Sequence, residues 1–139
     1  MKFNTKVIHG NQHHDPSTGA VMPPVYQTST FVQTSPGVPL AEGYEYSRFA
    51  NPTRTALEQA LASIENGVRG LAFASGLAAE DTLIRTVLKP GDHVVLPNDA
   101  YGGTYRLFKK VAEPWGISLS TAPVTDTEAI AAAMTPKTK

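Results

Sequence analysis

The stretch that decides the fold is Gly70-Leu71-Ala72-Phe73-Ala74-Ser75-Gly76-Leu77-Ala78-Ala79-Glu80. An apolar run, a small Ser-Gly pair and a helical Ala/Leu pattern predict a buried strand over 70–74, a tight turn and a helix. The first N–H groups of a helix lack internal partners and carry partial positive charge. With Gly76 admitting close approach and Ser75 adding a hydroxyl, the turn can bind a phosphate. A strand–helix connection that binds nothing is the alternative.

The same alternation continues on both sides of this stretch. Asn51 before Pro52 predicts a helix start, and strands are predicted over 93–97 and 117–121. Another helix should follow the polar loop 98–104, and Thr125 with Glu128 predicts the cap of a last helix. Alternating strands and helices indicate an α/β fold with a parallel sheet. Ligands of such sheets bind beyond the carboxyl ends of the strands, where the turns 75–77 and 98–103 lie.

Residues 1–50 differ in composition from the rest of the chain. They combine prolines with scattered aromatic side chains and show no helical or strand period, so they predict an arm that packs on another body, such as another subunit. Residues 1–20 carry three histidines, His9, His13 and His14, but neither a helix nor a carboxylate pattern that would complete a metal site. A solvated N-terminal segment is therefore expected, and domains are placed at 1–50 and 51–139.

Composition excludes several classes of protein. The 12 basic and 12 acidic side chains cancel, and no charged block favours nucleic acid or a membrane surface. No apolar run approaches the roughly 18–20 residues that span a bilayer, and no secretory signal is evident. The chain has no cysteine, which excludes disulfides and thiolate metal sites and suits a cytoplasmic protein.

Three further side chains suggest ligand chemistry. Arg48 offers a planar fork of donors that suits a phosphate, and Tyr46 offers a phenolic hydroxyl two residues away. In an extended segment these two side chains would point the same way and could reach one anion. Tyr101 follows a predicted strand and precedes Gly102 and Gly103, so a flat ligand could approach its ring. A surface arginine beside a packed tyrosine, and a core tyrosine, are the respective alternatives.

Together these segments resemble one known family. The motifs are Tyr46-Ser47-Arg48 with Asn51-Pro52-Thr53, Ala74-Ser75-Gly76-Leu77-Ala78-Ala79, and Asn98-Asp99 with Tyr101-Gly102-Gly103-Thr104. In this order they resemble the pyridoxal-phosphate enzymes of cysteine and methionine metabolism, from about Phe3 to the last residue. The resemblance implies an aspartate-aminotransferase-like α/β fold (fold type I), of which this chain would supply an N-terminal arm and the first part of the large-domain sheet.

The resemblance also implies roles for residues of the second and third motifs. The backbone N–H groups of Gly76 and Leu77, with Ser75 beside them, would bind the phosphate of pyridoxal 5'-phosphate. The family more often has Met at the position of Leu77, a change that leaves a backbone donor intact. Tyr101 would stack on the pyridine ring and take part in proton transfer, which makes it the candidate catalytic residue.

The first motif would act across a subunit boundary. Tyr46 and Arg48 would reach the phosphate of the neighbouring subunit's cofactor, in a homo-oligomer that is a tetramer in the family. Glu45 matches a position near the substrate entrance of some members. Gly103 stands where one group of lyases in the family carries a cysteine, which counts against that group.

The activity implied is a trans-sulfuration reaction on small amino-acid substrates. Gamma-replacement of an O-acylhomoserine by cysteine, giving cystathionine for methionine biosynthesis, is the expected reaction, and a gamma-lyase reaction is the alternative. No lysine here, including Lys89, Lys109 and Lys110, matches the family's cofactor-anchoring lysine, and its pyridinium aspartate and carboxylate-binding arginine are not matched either. The chain thus resembles the N-terminal third of such an enzyme. A non-catalytic truncated piece and a generic phosphate-binding α/β module are the other hypotheses.

Overall fold

The structure, a computed structural model, describes residues 1–10, 12–41 and 43–139. It consists of two compact units, Met1–Ala72 and Phe73–Lys139, each described by itself. In chain order the elements are α1 (Phe3–His9), β1 (Gln33–Ser35), β2 (Val38–Pro39), α2 (Pro52–Ile64), α3 (Gly76–Val87), β3 (His93–Pro97), α4 (Gly102–Leu107), a π-helix (Phe108–Ala112), β4 (Ser118–Ala122) and α5 (Thr127–Ala133).

The first unit begins with a helix that the sequence did not predict. Helix α1 has no side-chain cap, and it packs on α2. The Lys6 ammonium donates to the Ser63 carbonyl at 3.2 Å and to Asn66 Oδ1 at 2.9 Å. The expectation that this segment has no helix was therefore wrong, because tertiary contacts and not local capping stabilise this short helix. The residues of α1 are mostly exposed, as expected of a solvated segment.

The rest of the N-terminal segment contains little regular structure. Strands β1 and β2 form a short antiparallel hairpin around Gly37, whose φ of 77° favours glycine. Among the described residues of 1–50, only Gly10 and Asp15 are buried. This segment therefore has no apolar core of its own in the part that the structure describes.

Helix α2 begins where the sequence predicts. Asn51 is its N-cap and accepts a hydrogen bond from the Thr53 N–H at 2.9 Å, with Pro52 at the first helical position. After the helix, the predicted strand over 70–74 is wrong, because no described strand pairs with it. Instead the Ala72 N–H donates to Glu58 Oε1 at 2.9 Å, and a Cβ on Gly70 would lie 2.4 Å from the Glu58 carbonyl oxygen.

The second unit holds the predicted parallel sheet. Strands β3 and β4 pair in parallel from His93↔Ser118 to Pro97↔Ala122. Its core is apolar and comes from α3 and the residue after it, β3, the π-helix and the residue before β4. These core residues are Ile84, Leu88, Leu96, Phe108, Ala112 and Ile117. Since β3 leads into the loop before α4, the sheet places residues 98–101 beyond its carboxyl end, as predicted. The predicted loop 98–104 was too long, because α4 begins at Gly102, and the turn 75–77 follows no described strand.

Two local predictions in this unit need correction. The last helix is capped by Asp126, which accepts from the N–H groups of Glu128 and Ala129 at 3.1 and 2.9 Å, and not by Thr125. A carboxylate at the N-cap satisfies two N–H groups and favours the positive end of the helix. Strand β4 was predicted over 117–121 but covers Ser118–Ala122, one residue later. Ile117, the residue before the strand, is buried in the core.

Candidate cofactor-binding site

The first component of the site is the N-terminus of α3, called here the phosphate cradle (Ser75, Gly76 and Leu77). Ser75 is the N-cap: its Oγ accepts from the Ala78 N–H at 3.1 Å, and its carbonyl accepts from the Ala79 N–H at 3.1 Å. Gly76 and Leu77 lie in the first turn of α3, where backbone N–H groups have no acceptor within the helix. They lie at the positive end of a helix of 12 residues.

The space in front of the cradle is open. A Cβ built on Gly76 meets nothing within 4 Å, and all three cradle residues are exposed. Because no described protein group fills the place of that missing side chain, a tetrahedral anion can approach the backbone of Gly76 directly. The cradle thus has the donors, the dipole and the room that a phosphate monoester requires.

The second component is Tyr101, called here the ring platform. Tyr101 is the residue before α4, and its side chain is 71% exposed. The ring lies against Gly103: a Cβ there would be 2.4 Å from Tyr101 Cε1. The absence of a side chain at Gly103 therefore allows the ring to take this position. An exposed aromatic face can stack on a flat heteroaromatic ligand.

A side-chain hydrogen bond joins the helices that carry the cradle and the platform. Thr104 Oγ1 donates to the Glu80 carboxylate, 3.0 Å from Oε1 and 2.9 Å from Oε2, and both side chains are partly buried. This pair could not be predicted from the sequence, since each residue also suits the surface of an ordinary helix. The cradle and the platform both lie in the second unit.

The first unit holds Tyr46 and Arg48. The Arg48 guanidinium lies over the Tyr46 ring, 5.1 Å from its centroid, and 5.5 Å from that of Phe49. The prediction of an extended segment is wrong, because Phe49 and Ala50 both donate to the Tyr46 carbonyl, at 2.9 and 3.1 Å, and form a turn. The turn still brings Tyr46 and Arg48 together, by a cation–π contact.

Arg54 fastens this turn and was not identified from the sequence. Its guanidinium donates to three successive carbonyls, those of Ser47 at 3.0 Å, Arg48 at 3.3 Å and Phe49 at 2.6 Å. A guanidinium that is occupied by carbonyl groups differs in role from Arg48, whose side chain is exposed.

Asn51 supports the same turn. Its side-chain amide donates to the Ser47 hydroxyl and to the Tyr26 carbonyl, each at 3.0 Å, while its oxygen caps α2. Glu45 lies just before the turn, and its carboxylate accepts from the Gln33 side chain at 3.2 Å. In the described part of the chain Glu45 is thus an exposed residue of the first unit with a polar partner.

The described residues contain no group of three His, Cys, Asp or Glu side chains that could hold a metal ion. None of the helices in the ranges given above is long and apolar enough to cross a membrane.

An α/β fold with a phosphate cradle and an aromatic platform is typical of the pyridoxal-phosphate enzymes. The chain belongs to the family of Cys/Met metabolism PLP-dependent enzymes, whose model matches residues 4–139. This confirms the family resemblance and, for the family, the cofactor pyridoxal 5'-phosphate.

Individual relatives carry related names. The chain is 48% identical to a cystathionine gamma-synthase of Mycobacterium leprae, over 97% of this chain and 34% of that protein. It is 52% identical to a cystathionine beta-lyase of Coxiella burnetii, over 99% of this chain and 35% of that protein. The chain thus spans about a third of the length of these relatives.

Solved structures show the same fold. A crystal structure of metB from Corynebacterium glutamicum matches with a TM-score of 0.92 and 45% identity, covering all of this chain and 36% of that one. A cystathionine gamma-lyase from Lactobacillus plantarum, complexed with L-serine, matches with a TM-score of 0.88 and 45% identity, covering all of this chain and 35% of that one. The aspartate-aminotransferase-like α/β fold class is thereby confirmed.

Proposed function

We propose that the protein serves a pyridoxal-phosphate-dependent trans-sulfuration reaction, the gamma-replacement of an O-acylhomoserine by cysteine that is catalysed by cystathionine gamma-synthase. The observation that carries this proposal is the phosphate cradle joined to the Tyr101 platform within one unit. The family and the relatives named cystathionine gamma-synthase support it. A lyase reaction that cleaves cystathionine is the second candidate, favoured by the relatives named cystathionine beta-lyase.

The cofactor fits the residues of the second unit. The N–H groups of Gly76 and Leu77, with the Ser75 hydroxyl, would bind its phosphate, and the Tyr101 ring would stack on its pyridine ring. When bound, the cofactor supplies an electron sink for a carbanion formed on an amino-acid substrate. Tyr101 would hold the ring in place and exchange a proton at its phenolic oxygen, as a general acid or base does.

The first unit would complete a site in a second copy of the chain. Arg48, which lies over the Tyr46 ring and is exposed, would bind the phosphate of the neighbouring subunit's cofactor by its planar fork. Glu45, exposed beside this turn, would contact the amino-acid substrate at the entrance. The corresponding state is a cytoplasmic homo-oligomer, a tetramer as the resemblance implies, working in methionine biosynthesis.

This chain alone would bind the cofactor without catalysing the reaction. None of Lys89, Lys109 and Lys110 matches the family's cofactor-anchoring lysine. Lys109 instead forms an ion pair with Glu113 on the π-helix. A cofactor held by its phosphate and its ring alone would dissociate readily, and substrate turnover would be absent.

The test uses pyridoxine 5'-phosphate, which has no aldehyde to react with surface lysines. Titration of the purified chain is expected to shift the NMR amide signals of Gly76 and Leu77 and the ring signals of Tyr101. Inorganic phosphate added alone should shift the amide signals and leave the ring signals of Tyr101 unchanged. Tyr101→Leu should weaken the binding of pyridoxine 5'-phosphate. The matched control is Tyr105→Leu, the same change within α4, which should leave this binding unchanged. Saturable binding of nucleotide sugars without binding of pyridoxine 5'-phosphate would favour a generic phosphate-binding module and refute the proposal.

A further inference from the structure

We propose that Glu80 and Thr104 are positioning residues that hold the phosphate cradle and the ring platform at the separation required by one pyridoxal-phosphate molecule. This inference rests on the function proposed above. It assigns a role to a side-chain pair that touches neither the phosphate nor the ring.

The spacing along the chain supports the assignment. Glu80 follows Gly76 by four residues, which is about one turn of α3. Thr104 follows Tyr101 by three residues and lies in the first turn of α4. Glu80 is therefore one helical turn from Gly76 and on the same side of α3, and Thr104 is three residues from the ring that it would position.

The geometry of the pair is suited to fixing a distance. The Thr104 hydroxyl lies within 3.0 Å of both carboxylate oxygens, so small rotations of the carboxylate do not break the contact. A hydroxyl bonded to an ionised carboxylate forms one of the stronger neutral-to-charged hydrogen bonds. Among the described residues, it is the side-chain hydrogen bond that links α3 to α4.

Contacts on the α4 side continue to the ring. Gly103, next to Thr104, is buried and lies directly under the Tyr101 ring. The Tyr105 N–H donates to the Tyr101 carbonyl at 3.1 Å, which fixes the start of α4. A displacement of Thr104 would therefore move the ring platform, while the cradle on α3 stayed intact.

The consequence is specific to ligands that use both components. A phosphate and a ring joined in one molecule bind more tightly than either part when the two subsites keep the right separation. Loss of the Glu80–Thr104 bond should weaken binding of the joined ligand. Binding of each part alone should remain, because the backbone N–H groups and the ring face are unchanged.

The experiment compares three ligands on the full chain: pyridoxine 5'-phosphate, inorganic phosphate and pyridoxine. Thr104→Val removes the hydroxyl at nearly constant shape, and Thr104→Ser keeps it. The control Thr86→Val removes a hydroxyl that donates within α3, to the Thr82 carbonyl. Thr104→Val should raise the Kd for pyridoxine 5'-phosphate by about tenfold. Its Kd values for inorganic phosphate and pyridoxine, and all Kd values of Thr104→Ser and Thr86→Val, should stay within about twofold of the unchanged chain.

Other outcomes separate the alternatives. Unchanged affinity of Thr104→Val for pyridoxine 5'-phosphate would overturn the positioning role and leave the proposed function standing. Equal loss for all three ligands would indicate a merely structural role and would also overturn it. If the unchanged chain does not bind pyridoxine 5'-phosphate, the proposed function fails and this role fails with it. Glu80→Met provides a second variant: its effect and that of Thr104→Val should not add in the double variant, whereas additive effects would contradict a direct coupling.

Discussion

Replacement of Arg54 by lysine should loosen the turn that carries Arg48 while the positive charge is kept. The Arg54 guanidinium bonds the carbonyls of Ser47, Arg48 and Phe49, at 3.0, 3.3 and 2.6 Å. A lysine ammonium is a compact donor group without the planar fork, so it can keep about one of the three bonds. The variant therefore tests the fork and not the charge.

The size of the effect follows from these contacts. A hydrogen bond from a charged donor contributes about 1.5–3 kcal/mol at most sites, and less where water competes. The Arg54 side chain is 32% exposed, so we take about 0.7 kcal/mol for each lost bond, the low end of the net range for hydrogen bonds. Two lost bonds then correspond to about 1.4 kcal/mol, or about a tenfold change in the local opening equilibrium.

Hydrogen exchange measures that opening directly. The amides of Phe49 and Ala50 donate to the Tyr46 carbonyl at 2.9 and 3.1 Å and report the turn. In Arg54→Lys they should exchange about tenfold faster, under conditions in which exchange follows the opening equilibrium. The Glu65 amide, which bonds the Leu61 carbonyl at the other end of α2, should keep its rate.

The matched control is Arg106→Lys, which makes the same chemical change at an exposed position of the second unit. It should leave exchange at Phe49 and Ala50 unchanged. Unaltered exchange of these two amides in Arg54→Lys would refute the fastening role. Equally faster exchange at Glu65 would show general destabilisation of α2 and would refute it as well.

Two further predictions concern stability and pH. Ile117 is 2% exposed, so Ile117→Ala should lower the free energy of unfolding, measured by urea titration, by about 3 kcal/mol. Val124 is 57% exposed, and Val124→Ala should lower it by less than about 0.5 kcal/mol. Equal losses in the two variants would contradict the assigned core. Hydroxyl hydrogen bonds from Ser17 and Thr18, each 2.6 Å, hold the pKa of the Asp15 carboxyl below its ordinary value of 3.8. Because the pKa of Asp15 is lower in the folded chain, the ionised carboxyl stabilises the fold above about pH 4, and this stabilisation is lost as the pH falls through the folded pKa. An NMR titration of Asp15 with a midpoint at or above 3.8 would refute this prediction.

The parts of the fold that the sequence predicts are those set by local chemistry. The start of α2 at Pro52 follows from the Asn51 cap, and β3 follows from its apolar run before Pro97. The strand over 70–74 was wrong because a strand exists only with a partner. Leu71, an apolar residue of that run, is 61% exposed and lies in no described sheet. The predicted burial of this run was therefore wrong as well, because an apolar pattern buries side chains only where another element covers them.

The candidate site also contains residues that the sequence locates and a residue pair that it does not predict. The cradle residues and Tyr101 stand in motifs whose backbone geometry is local, a helix start and a loop after a strand, so the sequence locates them. Glu80 and Thr104 are 24 residues apart, and neither differs in type from a surface residue of a helix. Their pairing depends on how α3 meets α4, which is a property of the folded unit and not of either segment.

Arg48 and Arg54 show why residue type alone does not assign a phosphate ligand. Both carry the same planar fork, and they lie six residues apart around one turn. Arg54 uses its donors on three backbone carbonyls, whereas Arg48 lies over the rings of Tyr46 and Phe49, a contact that involves the face of the guanidinium and not its edge donors. Under the proposed phosphate role, Arg48 would use those edge donors on the anion, whereas Arg54, whose donors bond backbone carbonyls, sets the shape of the turn that carries Arg48.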